Sequence, residues 1–300
     1  MNIKHKKYTA TLFAILAAAL YAINIPISKM LLKNVDATMM AGFLYLGAGF
    51  GILIYGFVSK ILGKAHKKEP LTRKELPYTI AMVVLDIAAP ILLMLGISRT
   101  NSANVSLLNN FEIVATSLIA LIIFKEVISR KLWFAIVLVT IASIILSFEG
   151  NGAFTFNKGS LLVLGACVCW GFENNCTKMI SNKSSEEIVV IKGIFSGIGS
   201  VIIALIIGES IPPIIYILSI LLLGFVAYGL SINFYIMAQK DLGAAKTSAY
   251  YSIAPFLGVA FSMILLGERP RWQFYVALGI IVISTFIMIK DTDEVIDSVK

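Results

Sequence analysis

The sequence predicts an all-α integral membrane protein in which ten transmembrane helices form two inverted five-helix repeats around a central cavity. Three observations carry that prediction. The 300-residue chain is 58% hydrophobic and only 14% charged, with a mean hydropathy of +0.89. A soluble globular domain carries about 45–50% apolar and about 25% charged residues. Apolar runs of the roughly 20 residues that a bilayer demands recur along the whole chain and leave nothing over for a soluble domain. The two halves also repeat one another, and each holds an odd number of runs.

The runs are 8–32, 37–59, 77–98, 101–124, 131–148, 159–180, 187–207, 213–239, 243–266 and 272–290. The first follows the basic stretch KHKK and imitates a secretory leader. It continues past Pro26 to Leu32 and more spans follow, so it reads as an uncleaved first helix. Loop charges then set the orientation, because Lys and Arg collect on the cytoplasmic side. With the N-terminus inside, the cytoplasm receives Lys4, Lys6, Lys7, Lys60, Lys64, Lys67, Lys68, Arg73, Lys74, Lys125, Arg130, Lys131, Lys183 and Lys240. The other side keeps Lys33, Arg99, Lys158, Arg269 and Arg271. The expectation is a multi-pass protein of the cell membrane with both termini cytoplasmic. The net charge of +8 is then a record of topology, and no nucleic-acid partner is expected.

The repeat is legible in two places. YAINIPISKM (21–30) aligns with WGFENNCTKM (170–179) at an offset of 149, and FKEVISRKLW (124–133) with LGERPRWQFY (266–275) at 142. The second alignment places Glu126 on Glu268. The offset falls because the basic connection 60–76 is longer than its counterpart GESIPP (208–213). The first repeat is 8–148 and the second 159–290. Five spans is an odd number, so the second repeat enters the membrane from the opposite side. Inverted repeats of this kind are a transporter architecture, with the binding site near the midplane between the halves.

On these motifs the chain resembles the paired EamA domains of the drug/metabolite transporter superfamily. The likeness rests on WGFENNCTKMIS, which opens the second half, and on the small-residue helix ending in FKE (124–126) or LGE (266–268) before the last span of each half. It covers roughly residues 10 to 290. The resemblance implies ten helices with a cavity lined mainly by helices 1, 3, 4, 6, 8 and 9. It also implies small-molecule transport, more commonly export, and names no substrate.

Polar residues inside the spans locate the cavity. Inserting a carboxylate at a helix midpoint costs roughly 2.5–3.5 kcal/mol, so Glu112 in the middle of VSLLNNFEIVATSLIALIIF needs water, a partner or a ligand. Ser102, Ser106, Asn109, Glu112 and Thr116 recur every three or four positions and form one helical stripe. The first span offers Tyr21, Asn24 and Ser28, its repeat offers Trp170, Glu173 and Thr177, and the eighth offers Tyr228, Ser231, Tyr235 and Gln239. Asp86 in the third span is the repeat equivalent of Tyr228. Such faces cannot point at lipid and should converge on one polar cavity.

The expected substrate and proton site is therefore Glu112, Asn109, Asp86, Glu173, Asn24, Tyr21, Trp170, Tyr228, Tyr235 and Tyr251. These aromatics and Tyr250 are also candidates for a cation–π cage, with simple packing as the alternative. Lys29 and Lys178, repeat equivalents near opposite faces, read as anchors or gates. Lys192 and Lys246 are candidate counter-ions. Pro26, Pro90 and Pro255 lie inside spans and favour kinks, Pro26 and Pro255 being assigned to gating. Gly47, Gly49, Gly51, Gly193 and Gly197 allow close helix contact.

The best reading of these residues is a secondary active transporter of a small polar metabolite or drug, amino-acid-like or amine-bearing, working by alternating access. Proton exchange at Glu112 is one means of coupling. Alternatives are an importer of a small organic cation or nutrient and, more distantly, an intramembrane enzyme built on Asp86 and Glu112. No nucleotide-binding loop, cofactor or metal site is expected. His5 and His66 lie in basic polar segments, while Cys167, Cys169 and Cys176 read as small packing residues. The expected partners are the substrate, protons and the bilayer, with a homodimer through the peripheral spans left open.

Overall fold

The computed structural model describes residues 3–61, 69–123, 125, 129–147, 157–180, 183–242, 251 and 253–298. Helices joined by short turns account for these residues, with no strand among them. The first expected span is two helices, α1 (Ile3–Ala22) and α2 (Asn24–Leu31), interrupted at Ile23. Pro26 is the cause: it has no N–H to return to the carbonyl of Ala22. Then come α3 (Ala37–Ile61), a 3₁₀ turn (Arg73–Glu75) and α4 (Leu76–Arg99), with Pro90 in its interior.

The expected fourth span is also divided, into α5 (Ser102–Leu108) and α6 (Phe111–Ile122). At the junction the amides of Asn110, Glu112 and Ile113 bond three residues back, to Leu107, Asn109 and Asn110, each at 3.1 Å. The turn is tightened as in a 3₁₀ helix. Following it are α7 (Arg130–Ser147), α8 (Lys158–Ile180), α9 (Ser185–Ile206) and α10 (Ile214–Gly224). A π-helical stretch (Phe225–Leu230) leads into α11 (Ser231–Leu242), and α12 (Ala254–Leu266) and α13 (Trp272–Ser298) close the chain. Pro255, expected to kink its span, stands in the first turn of α12 just past a turn at Ile253, where its missing N–H is one of the orphan donors of the new helix.

Among the described residues, six helical stretches are long and apolar enough to cross a bilayer: Tyr8–Leu31, Ala37–Ile61, Arg73–Arg99, Ser102–Ile122, Ser185–Ile206 and Ile214–Tyr235. Shorter apolar helices cover Trp133–Leu146, Ala254–Leu266 and Trp272–Ile287. The remaining expected span, α8, has the length, but its Glu-Asn-Asn run dilutes its hydropathy. Large apolar side chains such as Ile54, Phe57, Phe195, Ile206, Leu222 and Ile264 are exposed on the outside, as lipid-facing surface would be. The protein is a multi-pass helical membrane protein.

Four helix pairs organise the interior: α4 along α8, α3 along α9, α1 along α11, and α7 along α13. Every pair joins the first half of the chain to the second. Glycine sets the separation of α3 and α9. A Cβ at Gly193 would lie 2.4 Å from the main-chain N of Gly49, and one at Gly197 would lie 2.7 Å from the N of Leu46. The same economy holds between α3 and α10, where a Cβ at Gly224 would meet the Leu44 carbonyl oxygen at 2.0 Å.

Two glutamates also tie the halves together. Gly208 (φ 82°) and Gly267 (φ 62°) end α9 and α12 in the left-handed conformation that glycine tolerates. Each is followed by a glutamate that caps a first-half helix. Glu209 accepts from the amides of Thr38 (3.2 Å) and Met39 (2.6 Å) at the start of α3. Glu268 accepts from Ser102 (3.0 Å) and Ala103 (2.9 Å) at the start of α5. A carboxylate at a helix N-terminus satisfies orphan donors and complements the helix dipole.

Candidate functional site

Four irregular elements meet in the interior: the α1–α2 break, the α5–α6 break, the π-helical stretch and the start of α12. Each of these carries a residue that the sequence nominated. From the first comes Tyr21, whose ring lies 5.8 Å from that of Tyr228 and 6.0 Å from that of Tyr251. Asn24 is fully buried, donates its amide to the Tyr228 hydroxyl at 3.1 Å, and accepts from Ser28 at 3.1 Å. Tyr235 packs edge-on against Tyr251 at 5.1 Å. Tyrosines from both halves thus form a continuous wall.

Glu112 stands in the first turn of α6, just past the break. Its Oε1 accepts from the Asn174 amide of α8 at 2.6 Å, and the same amide reaches Thr116 Oγ1 at 3.4 Å. Glu112 is partly exposed, and it lies within electrostatic reach of Tyr21, Tyr228 and Tyr251. Three residues earlier Asn109 is 8% exposed, and neither its Oδ1 nor its Nδ2 has a partner among the described residues. Buried amides are nearly always paired with protein or water, so this side chain has a donor and an acceptor to spare beside the carboxylate. At the break the Cys167 thiol donates to the Leu108 carbonyl at 3.6 Å.

Asp86 and Glu173 are placed differently. Both are buried, at 0% and 2% exposure, and both grip one lysine. Lys192 of α9 is 3.1 Å from Asp86 Oδ2 and 2.9 Å from Glu173 Oε1. The other Asp86 oxygen accepts from the Tyr45 hydroxyl at 2.9 Å, and Tyr45 in turn accepts from the Trp170 indole at 3.4 Å. Thr177 donates to Glu173 Oε1. Pro90 lies one turn after Asp86 and leaves the Asp86 carbonyl without its helical donor. Trp170 is therefore engaged in this polar network, which meets the tyrosine wall where the Tyr45 ring lies 5.4 Å from that of Tyr228.

Lys29 lies apart from both groups. Its ammonium donates to the carbonyls of Ile97 (2.5 Å) and Thr100 (2.7 Å), at the C-terminal end of α4. A cation at that end complements the helix dipole. The same corner is capped by Asn101, which accepts from Ala103 at 2.9 Å, and by Glu268. Lys178 is exposed on α8. The expected Tyr250 and Lys246 lie outside the described residues, as does the side chain of Gln239.

The model of the EamA-like transporter family matches residues 9–148 and 157–290. The chain belongs to the EamA-like transporter family. It is 24% identical over 279 residues to a protein of Methanothermobacter thermautotrophicus described as an uncharacterized transporter, covering 87% of this chain and 78% of that one. It is 23% identical over 256 residues to the uncharacterized inner membrane transporter YedA of Escherichia coli K12, covering 83% and 80%. A solved crystal structure superposes with a TM-score of 0.67 at 14% identity, over 93% of this chain and 94% of its own, which speaks to the fold alone. The protein is a membrane transporter, not an enzyme.

Two residues of this EamA transporter's interior, Tyr45 and Asn174, escaped the polar-stripe reading. Tyr45 looked like one more aromatic in an apolar span. Asn174 shares the face of Trp170 at a spacing of four, so the stripe could have included it. Lys192 carried a signal, a lysine inside a span, but nothing in the sequence said which acid it would meet.

Proposed function

We propose that this EamA transporter is a secondary active carrier of a small polar metabolite or drug bearing an amine, working by alternating access at a site centred on Glu112. One observation carries the reading: a partly exposed carboxylate at a broken helix, beside an orphan amide and a wall of tyrosines drawn from both halves. Discontinuous helices at the junction of two halves are where transporters bind their cargo. Cations are attracted to tyrosine faces and to carboxylates alike.

The pairing of α4 with α8 and of α1 with α11 supports two halves related by an inverted repeat, because the repeat maps one pair onto the other. The carrier sits in the cell membrane with both termini cytoplasmic, and export is the direction that the resemblance favours. Lys29 gates the end of the site at the α4–α5 corner, which its ammonium holds through two carbonyls. Glu112 exchanges a proton for the amine as the carrier alternates.

Purified protein is screened for stabilisation by a panel of amines and amino acids, since a ligand that binds only the folded state raises its melting temperature. A stabilising amine is then followed into proteoliposomes with and without a pH gradient, for the parent and for Glu112→Gln. The expected outcome is gradient-driven flux in the parent and none in the variant. An unchanged rate and pH dependence in Glu112→Gln would remove Glu112 from the mechanism, and gradient-driven uptake from the outside would favour import.

A further inference from the structure

Among the described residues the interior holds three carboxylates, and their surroundings divide them into two kinds. Asp86 and Glu173 are buried, and Lys192 lies between them at 3.1 and 2.9 Å. Their remaining bonds run to protein as well, from Tyr45 to Asp86 and from Thr177 to Glu173. These groups come from α3, α4, α8 and α9, so the lysine ties together helices of both halves. Glu112 differs on each count. It is partly exposed, it has a neutral partner in Asn174, and it follows the orphan amide of Asn109 by one turn.

We infer that Asp86, Lys192 and Glu173 form a closed interhelical clamp that takes no part in ligand binding. Glu112 is left as the sole carboxylate for a ligand with one cationic centre and no carboxylate of its own. This rests on the transporter reading above and deepens it, because it selects the amine over the zwitterion. The pairing gives the reason. Lys192 is held between Asp86 and Glu173, so it is not free to receive a ligand carboxylate. The charge of Glu112 itself favours a cation and repels a ligand carboxylate. A second cationic centre would find no accessible partner, since Lys192 already stands at ion-pair distance from both clamp carboxylates. The orphan amide of Asn109 supplies a neutral acceptor and donor beside the cation.

The probes are 2-phenylethylamine, its zwitterionic counterpart phenylalanine, and neutral 2-phenylethanol, tested for binding to the detergent-purified full chain. The expected result is binding of the amine alone, weakened at least tenfold in Glu112→Gln. The triple variant Asp86→Asn/Lys192→Met/Glu173→Gln should bind the amine within about threefold of the parent. Loss of amine binding in that folded triple variant would overturn the clamp while leaving the Glu112 reading intact. Equal binding of phenylalanine or the alcohol, or no binding of the amine by the parent, would overturn the ligand class. Intact Glu112→Gln flux would instead sink the reading beneath it. A second measurement needs no variant to fold. Dicyclohexylcarbodiimide, which modifies carboxyl groups it can reach, should label Glu112 in the parent, and the amine should block it. Labelling of Asp86 or Glu173 to the same extent as Glu112 refutes the clamp.

Discussion

Substituting Gly193 by alanine tests the seam on which the two halves meet. An alanine Cβ there would stand 2.4 Å from the N of Gly49, 2.5 Å from its Cα and 2.7 Å from the carbonyl oxygen of Tyr45. Non-bonded carbons settle at about 3.5–4.0 Å, so α9 would have to retreat from α3 by about 1 Å. All three neighbours are main-chain atoms, and no rotamer change can absorb the contact. Alanine returns at most about 1 kcal/mol of helix propensity. Overpacking of this kind costs about 1–3 kcal/mol, and a retreat also loosens the crossing at Gly197 and Gly42. The net expectation is a loss of about 1–2 kcal/mol. Gly56 is the control, because a Cβ on that α3 glycine meets nothing within 4 Å. Gly56→Ala should keep the propensity gain without the clash. Thermal unfolding in detergent, followed by size-exclusion chromatography with fluorescence detection, should place Gly193→Ala below the parent and Gly56→Ala at or above it. A Gly193→Ala protein melting as high as Gly56→Ala would refute the claim that glycine sets the spacing.

Two further outcomes follow from the ends of the helices. Glu268→Ala removes two charge-assisted bonds from the start of α5 and should cost about 1.5–3 kcal/mol, whereas Glu268→Gln keeps an acceptor oxygen and should cost less; melting temperatures in that order check it. Lys125 is a non-glycine residue at φ 55°, in the place the repeat gives to Gly267, so Lys125→Gly should relieve left-handed strain of about 1 kcal/mol and raise the melting temperature.

The sequence by itself determined the class of the protein and much of its interior. Composition demanded a bilayer, because so apolar a surface has no other solvent. Internal likeness marked two halves, and helical spacing picked out polar residues that cannot face lipid. Tyr21, Asn24, Glu112, Tyr228, Tyr235 and Tyr251 do lie in one neighbourhood. What spacing cannot encode is contact between residues far apart in the chain.

Only the tertiary structure decided that Lys192 lies between Asp86 and Glu173, and so which acids are already engaged. It also decided that Trp170 bonds to Tyr45 and that Glu209 and Glu268 cap helices of the other half. Pro255 illustrates the limit well: a proline inside an apolar run reads as a kink, and only the backbone places it in the first turn of α12, just past a turn at Ile253. Amphipathic periodicity states which face of a helix is polar. The partner of that face is set by packing, where main-chain contact at the glycines and the pairing of buried charges select one arrangement.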